Sequence, residues 1–273
     1  MKPESTRMAR IVFNNVTKTY PQQRGQKWTP SMLGAGRPKS TGRFKALDKV
    51  SFSMSEGDSY VLVGRNGAGK STVLHLMAGL LAADSGSIEV AGGVSPMFDL
   101  GAGFHHDLTG RENLMVNASL LGLSRREAKD RIGEMIEFSG LGRFVDEPLR
   151  TYSTGMVMRL SFSVATAVNR EILLIDEVLG VGDAAFQEKC AERISELRKA
   201  GRIFVCVSHG PMIGKLCEKA IWLERGVVRK IGRIDRVLAA YQASLDGNSD
   251  IERPEPELSD FDAEPPAQIR RVG

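Results

Sequence analysis

Residues 64–72, Gly64-Arg65-Asn66-Gly67-Ala68-Gly69-Lys70-Ser71-Thr72, constrain this chain more than any other stretch. The residues before them, Tyr60-Val61-Leu62-Val63, form a short apolar run that reads as a buried strand, and Ser71–Ala78 continues as a helix. A glycine loop between strand and helix, closed by a lysine and a hydroxyl, is a P-loop. Its glycines let backbone N–H groups turn inward around phosphates, and the helix N-terminus adds positive dipole. Lys70 supplies a point charge to the terminal phosphates, and the Ser71 hydroxyl is placed to ligate Mg²⁺. The chain is therefore expected to be an α/β protein that binds a nucleoside triphosphate.

A P-loop alone does not separate kinases, GTPases, helicases and transport ATPases, but the remaining motifs do. Glu171-Ile172-Leu173-Leu174-Ile175 is an apolar strand that runs into Asp176 and Glu177. Asp176 is placed to hold the Mg²⁺ shell and Glu177 to polarise the water that attacks the γ-phosphate. Paired acids there suggest hydrolysis rather than transfer to a substrate hydroxyl. Upstream, Tyr152-Ser153-Thr154-Gly155-Met156 heads a helical run over Arg159–Val168. Downstream, Val205-Cys206-Val207-Ser208-His209 ends another apolar strand.

With these motifs in this order, the chain resembles the nucleotide-binding subunit of ATP-binding cassette (ABC) transporters over roughly residues 10–240. The resemblance implies a mixed sheet with flanking helices, an antiparallel β subdomain and an inserted helical subdomain that carries the signature. It implies that Tyr20 stacks on adenine, that Tyr152–Met156 is the signature, and that Asp183 lies in a loop bridging two subunits. By the same likeness His209 is the switch histidine at the γ-phosphate. One cassette per chain then implies a homodimer, each ATP enclosed by the P-loop of one subunit and the signature of the other.

Three stretches are more specific: Leu100–His105 leading to Leu108–Asn113, the Ser153-Thr154-Gly155-Met156 signature, and Asp176–Gln187. They resemble the ATPase subunits of bacterial polysaccharide exporters, those moving lipid-linked O-antigen, teichoic acid, capsule or galactan. That likeness implies a polytopic membrane permease as partner, and a place on the cytoplasmic face of the inner membrane. Two positions depart from the wider cassette pattern. Asp99 stands where most cassettes carry a glutamine that senses the γ-phosphate and Mg²⁺, so it is shorter and, when ionised, only accepts. Thr154 and Met156 replace the usual glycine and glutamine of the signature, while Ser153 and Gly155, the residues that would touch the opposite γ-phosphate, remain.

Charge and punctuation divide the chain into a short extension over residues 1–9, a cassette over 10–245 and a tail over 246–273. The tail holds eight acids against three arginines, so of the total charge of +4 the remainder carries +9. With four prolines and little apolar periodicity, the tail is expected to be disordered. It is also too brief for the carbohydrate-binding sandwich that some exporters append. Residues 21–43 interrupt the adenine-side sheet with five cations and no acid, as an inserted basic loop. A helical insertion spans about 98–169, within which Ser124-Arg125-Arg126-Glu127 has capping-box spacing.

Cys190, Cys206 and Cys217 are scattered without metal spacing and read as reduced thiols. No run of about 18 apolar residues occurs and the N-terminus lacks the apolar region of a signal peptide, so the chain is expected, if it drives transport, to borrow its membrane pathway from another chain. Nucleic acid is not expected as a partner, because aromatic residues are only 6% of the chain and are not interleaved with the cations. A P-loop kinase would need neither signature nor switch histidine. Soluble cassette proteins of translation carry two cassettes, and those of DNA repair a long heptad insertion. An importer ATPase is the nearest competitor.

Overall fold

The computed structural model describes residues 8–21, 42–98, 103–168, 170–176, 183–207 and 217–246. Asp99, Glu177, His209, most of the basic loop and all but the first residue of the acidic tail lie outside them.

Fifteen strands and helices account for most of these residues: β1 Arg10–Pro21, β2 Arg43–Ser55, β3 Ser59–Val63, α1 Lys70–Met77, β4 Ser85–Ala91, β5 Val94–Met97, α2 Gly110–Leu120, α3 Arg125–Ser139, α4 Thr154–Ala167, β6 Ile172–Asp176, α5 Ala184–Lys199, β7 Ile203–Val207, β8 Lys219–Glu224, β9 Val227–Arg233 and α6 Ile234–Leu245. β3 and β7 are buried at every position, the pattern of strands covered on both faces. They lie inside a six-stranded sheet ordered β5-β6-β7-β3-β8-β9, parallel except for β9 at one edge. Alternate residues divide between its faces. Leu62, Leu174, Val205 and Ile221 pack with Val73, Leu74 and Met77 of α1 and with Ile11, Phe13 and Phe52 of a second, antiparallel sheet. Val61, Ile175, Phe204 and Trp222 pack with Phe186, Cys190 and Ile194 of α5 and Val237 of α6.

The second sheet is three-stranded, ordered β2-β1-β4. Its outer hairpin pairs Tyr20 with Phe44 and Pro21 with Arg43, so the basic stretch is inserted at a hairpin tip. Asp84 fastens that end of β1. Its carboxylate accepts from the Thr19 hydroxyl and amide, each at 2.7 Å, and pairs with Lys18 at 3.2 Å. These donors, the Thr19 hydroxyl first, hold the Asp84 carboxyl down at about 2.

The helical insertion has a core of its own, in which Leu114 and Ala118 of α2, Ala128 and Met135 of α3, and Leu160 and Val164 of α4 meet. Helix α4 also turns Phe162 and Ala165 toward the sheet, which is why its second half is buried all round. It begins at Thr154, five residues before the apolar run that marks it in the sequence. The Ser153 Oγ caps it by accepting from Met156 N at 3.3 Å. The box at Ser124 forms as spaced: Ser124 N donates to Glu127 Oε2 at 2.8 Å and Glu127 N to Ser124 Oγ at 3.3 Å. A second box joins Thr109 and Glu112 at the head of α2. Ser124→Ala is expected to lower the stability of the insertion by about 1 kcal/mol, read by chemical denaturation. An unchanged midpoint would show the cap to be dispensable.

Candidate nucleotide site

β3 ends in the middle of the parallel sheet, and the chain turns there into residues 64–69 before α1 begins at Lys70. Two glycines make the turn sterically possible. Gly64 has φ 147°, and a Cβ there would collide with the Leu223 carbonyl oxygen of β8. Gly69 has φ 106°, and its Cβ would lie 2.7 Å from both the Ala46 oxygen and Leu47 Cδ2 of β2. The loop is thus pressed between strands on either side, with no room for a side chain at these two positions. Gly226, in the turn after β8, donates its N–H to Ala68 O at 3.0 Å and braces the loop from outside.

Lys70 is 7% exposed, and its ammonium donates to the carbonyl oxygens of Gly64 at 2.7 Å and Arg65 at 3.1 Å. This bridging holds the cation over the loop that it helps to close. The N-terminus of α1 has no side-chain cap and no acid in its first turn, so its leading amides suit an anion. A cleft of about 410 Å³ opens here, bounded by Tyr20 and Phe44, by the whole of Asn66–Thr72, and by Asp176 and Val207. Aromatic side chains, the loop's donors, the Ser71 hydroxyl and the Asp176 carboxyl all line it. Among the described residues no cluster of three or more His, Cys, Asp or Glu is able to hold a metal. One carboxylate and one hydroxyl are instead the sparse oxygen set by which Mg²⁺ is held when phosphates and water complete its shell.

Sheet register accounts for Asp176. It pairs with Val207 of β7, which pairs with Leu62 of β3, so three neighbouring strands end side by side at the cleft. The next residues after β6 and β7 lead to Glu177 and His209, both outside the described residues. Phe44 was not evident from the sequence as a cleft residue. Its role follows from standing opposite Tyr20 across the insertion, which puts both aromatics on one face of the hairpin. Lys18 lies 5.8 Å over the Tyr20 ring.

The signature lies elsewhere, since none of residues 152–156 lines the cleft. Tyr152 is tied into the insertion, its hydroxyl donating to Phe144 O at 2.6 Å, and burial pushes its phenol up. Ser153 and Thr154 are exposed, and Gly155 and Met156 are partly so. A Cβ on Gly155 would meet its nearest neighbour, Ser153 Oγ, at 3.9 Å, an ordinary contact, so nothing within the described chain demands glycine there. Asp183 caps α5 by accepting from Phe186 N at 2.9 Å, and its other oxygen pairs with Arg159 of the signature helix at 2.6 Å. Asp183 is thereby fastened to the helix that follows Ser153. The three cysteines are free and buried, with Cys206 and Cys217 in sulfur contact at 3.5 Å.

The family model for ABC transporters matches residues 47–180. The O-antigen export system ATP-binding protein RfbB of Klebsiella pneumoniae is 43% identical over 248 residues, covering 86% of this chain and 98% of its own. RfbE of Yersinia enterocolitica, likewise an O-antigen export system ATP-binding protein, is 45% identical over 232 residues, 81% and 97% of the two chains. The teichoic acids export ATP-binding protein TagH of Staphylococcus haemolyticus is 39% identical over 237 residues, 86% and 89%. Among solved structures, the ATP-binding cassette MJ0796, in a dimeric post-hydrolysis state bound to ADP and Pi, superposes with a TM-score of 0.67. It covers 82% of this chain and 98% of its own at 22% identity, a likeness of fold.

Proposed function

The chain belongs to the ABC transporter family, as one of its ATP-binding proteins, and on that premise we propose that it powers export of a lipid-linked polysaccharide through a separate membrane permease. The observation that carries this reading is the similarity to O-antigen export proteins along nearly their entire length. The chain is an ATP hydrolase, and among the described residues no helix is long and apolar enough to cross a membrane. A polytopic permease therefore supplies the path, and this subunit works on the cytoplasmic face of the inner membrane.

The chemistry follows from the residues. Tyr20 and Phe44 take the adenine, the amides of Gly64–Thr72 and the Lys70 ammonium take the phosphates, and Ser71 and Asp176 hold Mg²⁺. The metal, when bound, neutralises charge developing on the phosphoryl oxygens. Glu177 orients and polarises the attacking water, and His209 contacts the γ-phosphate. Asp99 would contribute to the shell of a bound Mg²⁺ and couple the site to the permease.

The capped N-terminus of α4 supplies the other half of the site. Ser153 and Gly155 stand exposed or half-exposed there with no steric reason among the described residues for glycine, which suits close approach by a nucleotide held on a second copy. A homodimer joined by two ATP molecules opens when each γ-phosphate bridge is hydrolysed, and this two-state motion drives the permease.

Deleting the coding sequence in the native bacterium tests the reading. Lipid-linked glycan is expected to accumulate inside the cell and disappear from the surface, with restoration by the wild-type chain and not by Glu177→Gln. Unchanged surface glycan with loss of some solute's uptake would replace export with import.

The basic loop gives a separate prediction. Trp28, Met32 and Leu33 among its cations suit contact with the permease or with the phosphate of the lipid carrier. Serine at all three is expected to reduce export and leave the isolated subunit's ATPase and stability unchanged. Unimpaired export, or a destabilised isolated subunit, would instead make the loop a locally packed extension.

A further inference from the structure

We propose that a second pocket, on the outer side of the P-loop, is a docking site for the chain's own acidic C-terminal segment. The pocket, about 390 Å³, lies between the P-loop, the turn joining β8 to β9, and the last turns of α6. Trp222 and Tyr241 line it with their ring centroids 5.7 Å apart, and Leu245 at its margin is 45% exposed. Two exposed guanidinium groups, those of Arg65 and Arg225, complete it, and among the described residues neither is in an ion pair. The one acid present, Glu224, is held by Arg229 at 2.7 Å. Apolar lining beside two uncommitted cations suits a ligand that carries an apolar group between carboxylates.

The chain supplies such a ligand at the pocket's edge. Ser244 and Leu245 belong both to the pocket and to the final turn of α6, and the chain leaves that helix at Asp246. The next residues, Gly247-Asn248-Ser249, have the composition of a turn, and Asp250-Ile251-Glu252 sets an aliphatic side chain between two acids. Asp260-Phe261-Asp262 repeats the arrangement ten residues further on. Ile251 is five residues beyond Asp246, a reach of up to about 17 Å and enough to double back. Tethering also removes most of the translational cost of association, so a contact too weak to hold a free peptide is populated within one chain. Because Asn66, Gly67 and Ala68 wall both this pocket and the nucleotide cleft, a docked segment bears directly on the P-loop.

Amide hydrogen exchange of the full chain, followed by mass spectrometry, tests the proposal. Residues 250–252 are expected to exchange at least about tenfold more slowly in the wild type than in Arg225→Glu or Ile251→Asp. Ile251→Asp lies outside the packed cassette, so loss of protection in it is not loss of fold. Adding Asp250→Arg and Glu252→Arg to Arg225→Glu is expected to restore protection by reversing both sides of the pairing. Equal exchange in all four proteins overturns the proposal. So does protection that vanishes on dilution, which would give the pocket to a second copy's tail, or protection that survives both single substitutions.

Discussion

Gly64→Ala is expected to abolish ATP binding and to lower folding stability by about 3 kcal/mol or more, among the largest effects of any single methyl group in this chain. The added Cβ would strike the Leu223 carbonyl at a backbone angle, φ 147°, that side chains rarely adopt. Neither neighbour gives way easily, because β8 is a fully integrated strand and the loop is fixed on its other side by Gly69 against β2. Relief has to come from the P-loop itself, and the Gly64 carbonyl that moves is one of those holding Lys70. For a chain of this size the loss corresponds to a drop in Tm of about 6 °C or more. Nucleotide titration by fluorescence and a thermal melt check the two parts. Wild-type affinity in the variant would show that the loop does not need this geometry.

Glu177→Gln is expected to lower turnover by at least about 100-fold, the range in which positioned general bases contribute, while ATP binding survives. The amide keeps the size of the side chain and removes its ability to take a proton. Lys70→Ala separates the roles, since it removes a cation from the phosphate site and is expected to lose binding itself. Phosphate release and nucleotide binding measured on the same preparations distinguish them. Near-normal turnover in Glu177→Gln, with contaminating ATPase excluded, would take the catalytic role away from that carboxylate.

Features with a local physical signature were legible in the sequence. The P-loop is written in contiguous residues, the sheet in runs of buried apolar side chains, and the box at Ser124 in a four-residue spacing. The box at Thr109 has the same spacing but sits inside a longer motif that masks it as a cap. The start of α4 is obscured in the sequence because Thr154 and Gly155 are poor helix formers, although the Ser153 cap marks it. What the sequence could not disclose is set by distant pairing. Phe44 enters the cleft through its register with Tyr20, and Asp183 meets Arg159 across 24 positions. Gly226 braces Ala68 only because β8 and β3 are neighbours in the sheet.

Because residues 152–156 stand apart from the cleft, ATP is expected to join two copies of this chain through Ser153 and Gly155. Sedimentation velocity of Glu177→Gln, in which bound ATP is expected to persist, tests this most directly. The predicted result is a monomer without nucleotide or with ADP, and a dimer with Mg²⁺ and ATP that Ser153→Arg abolishes. An ATP-saturated protein that sediments as a monomer at every concentration, or a dimer indifferent to ATP and to Ser153→Arg, would contradict it.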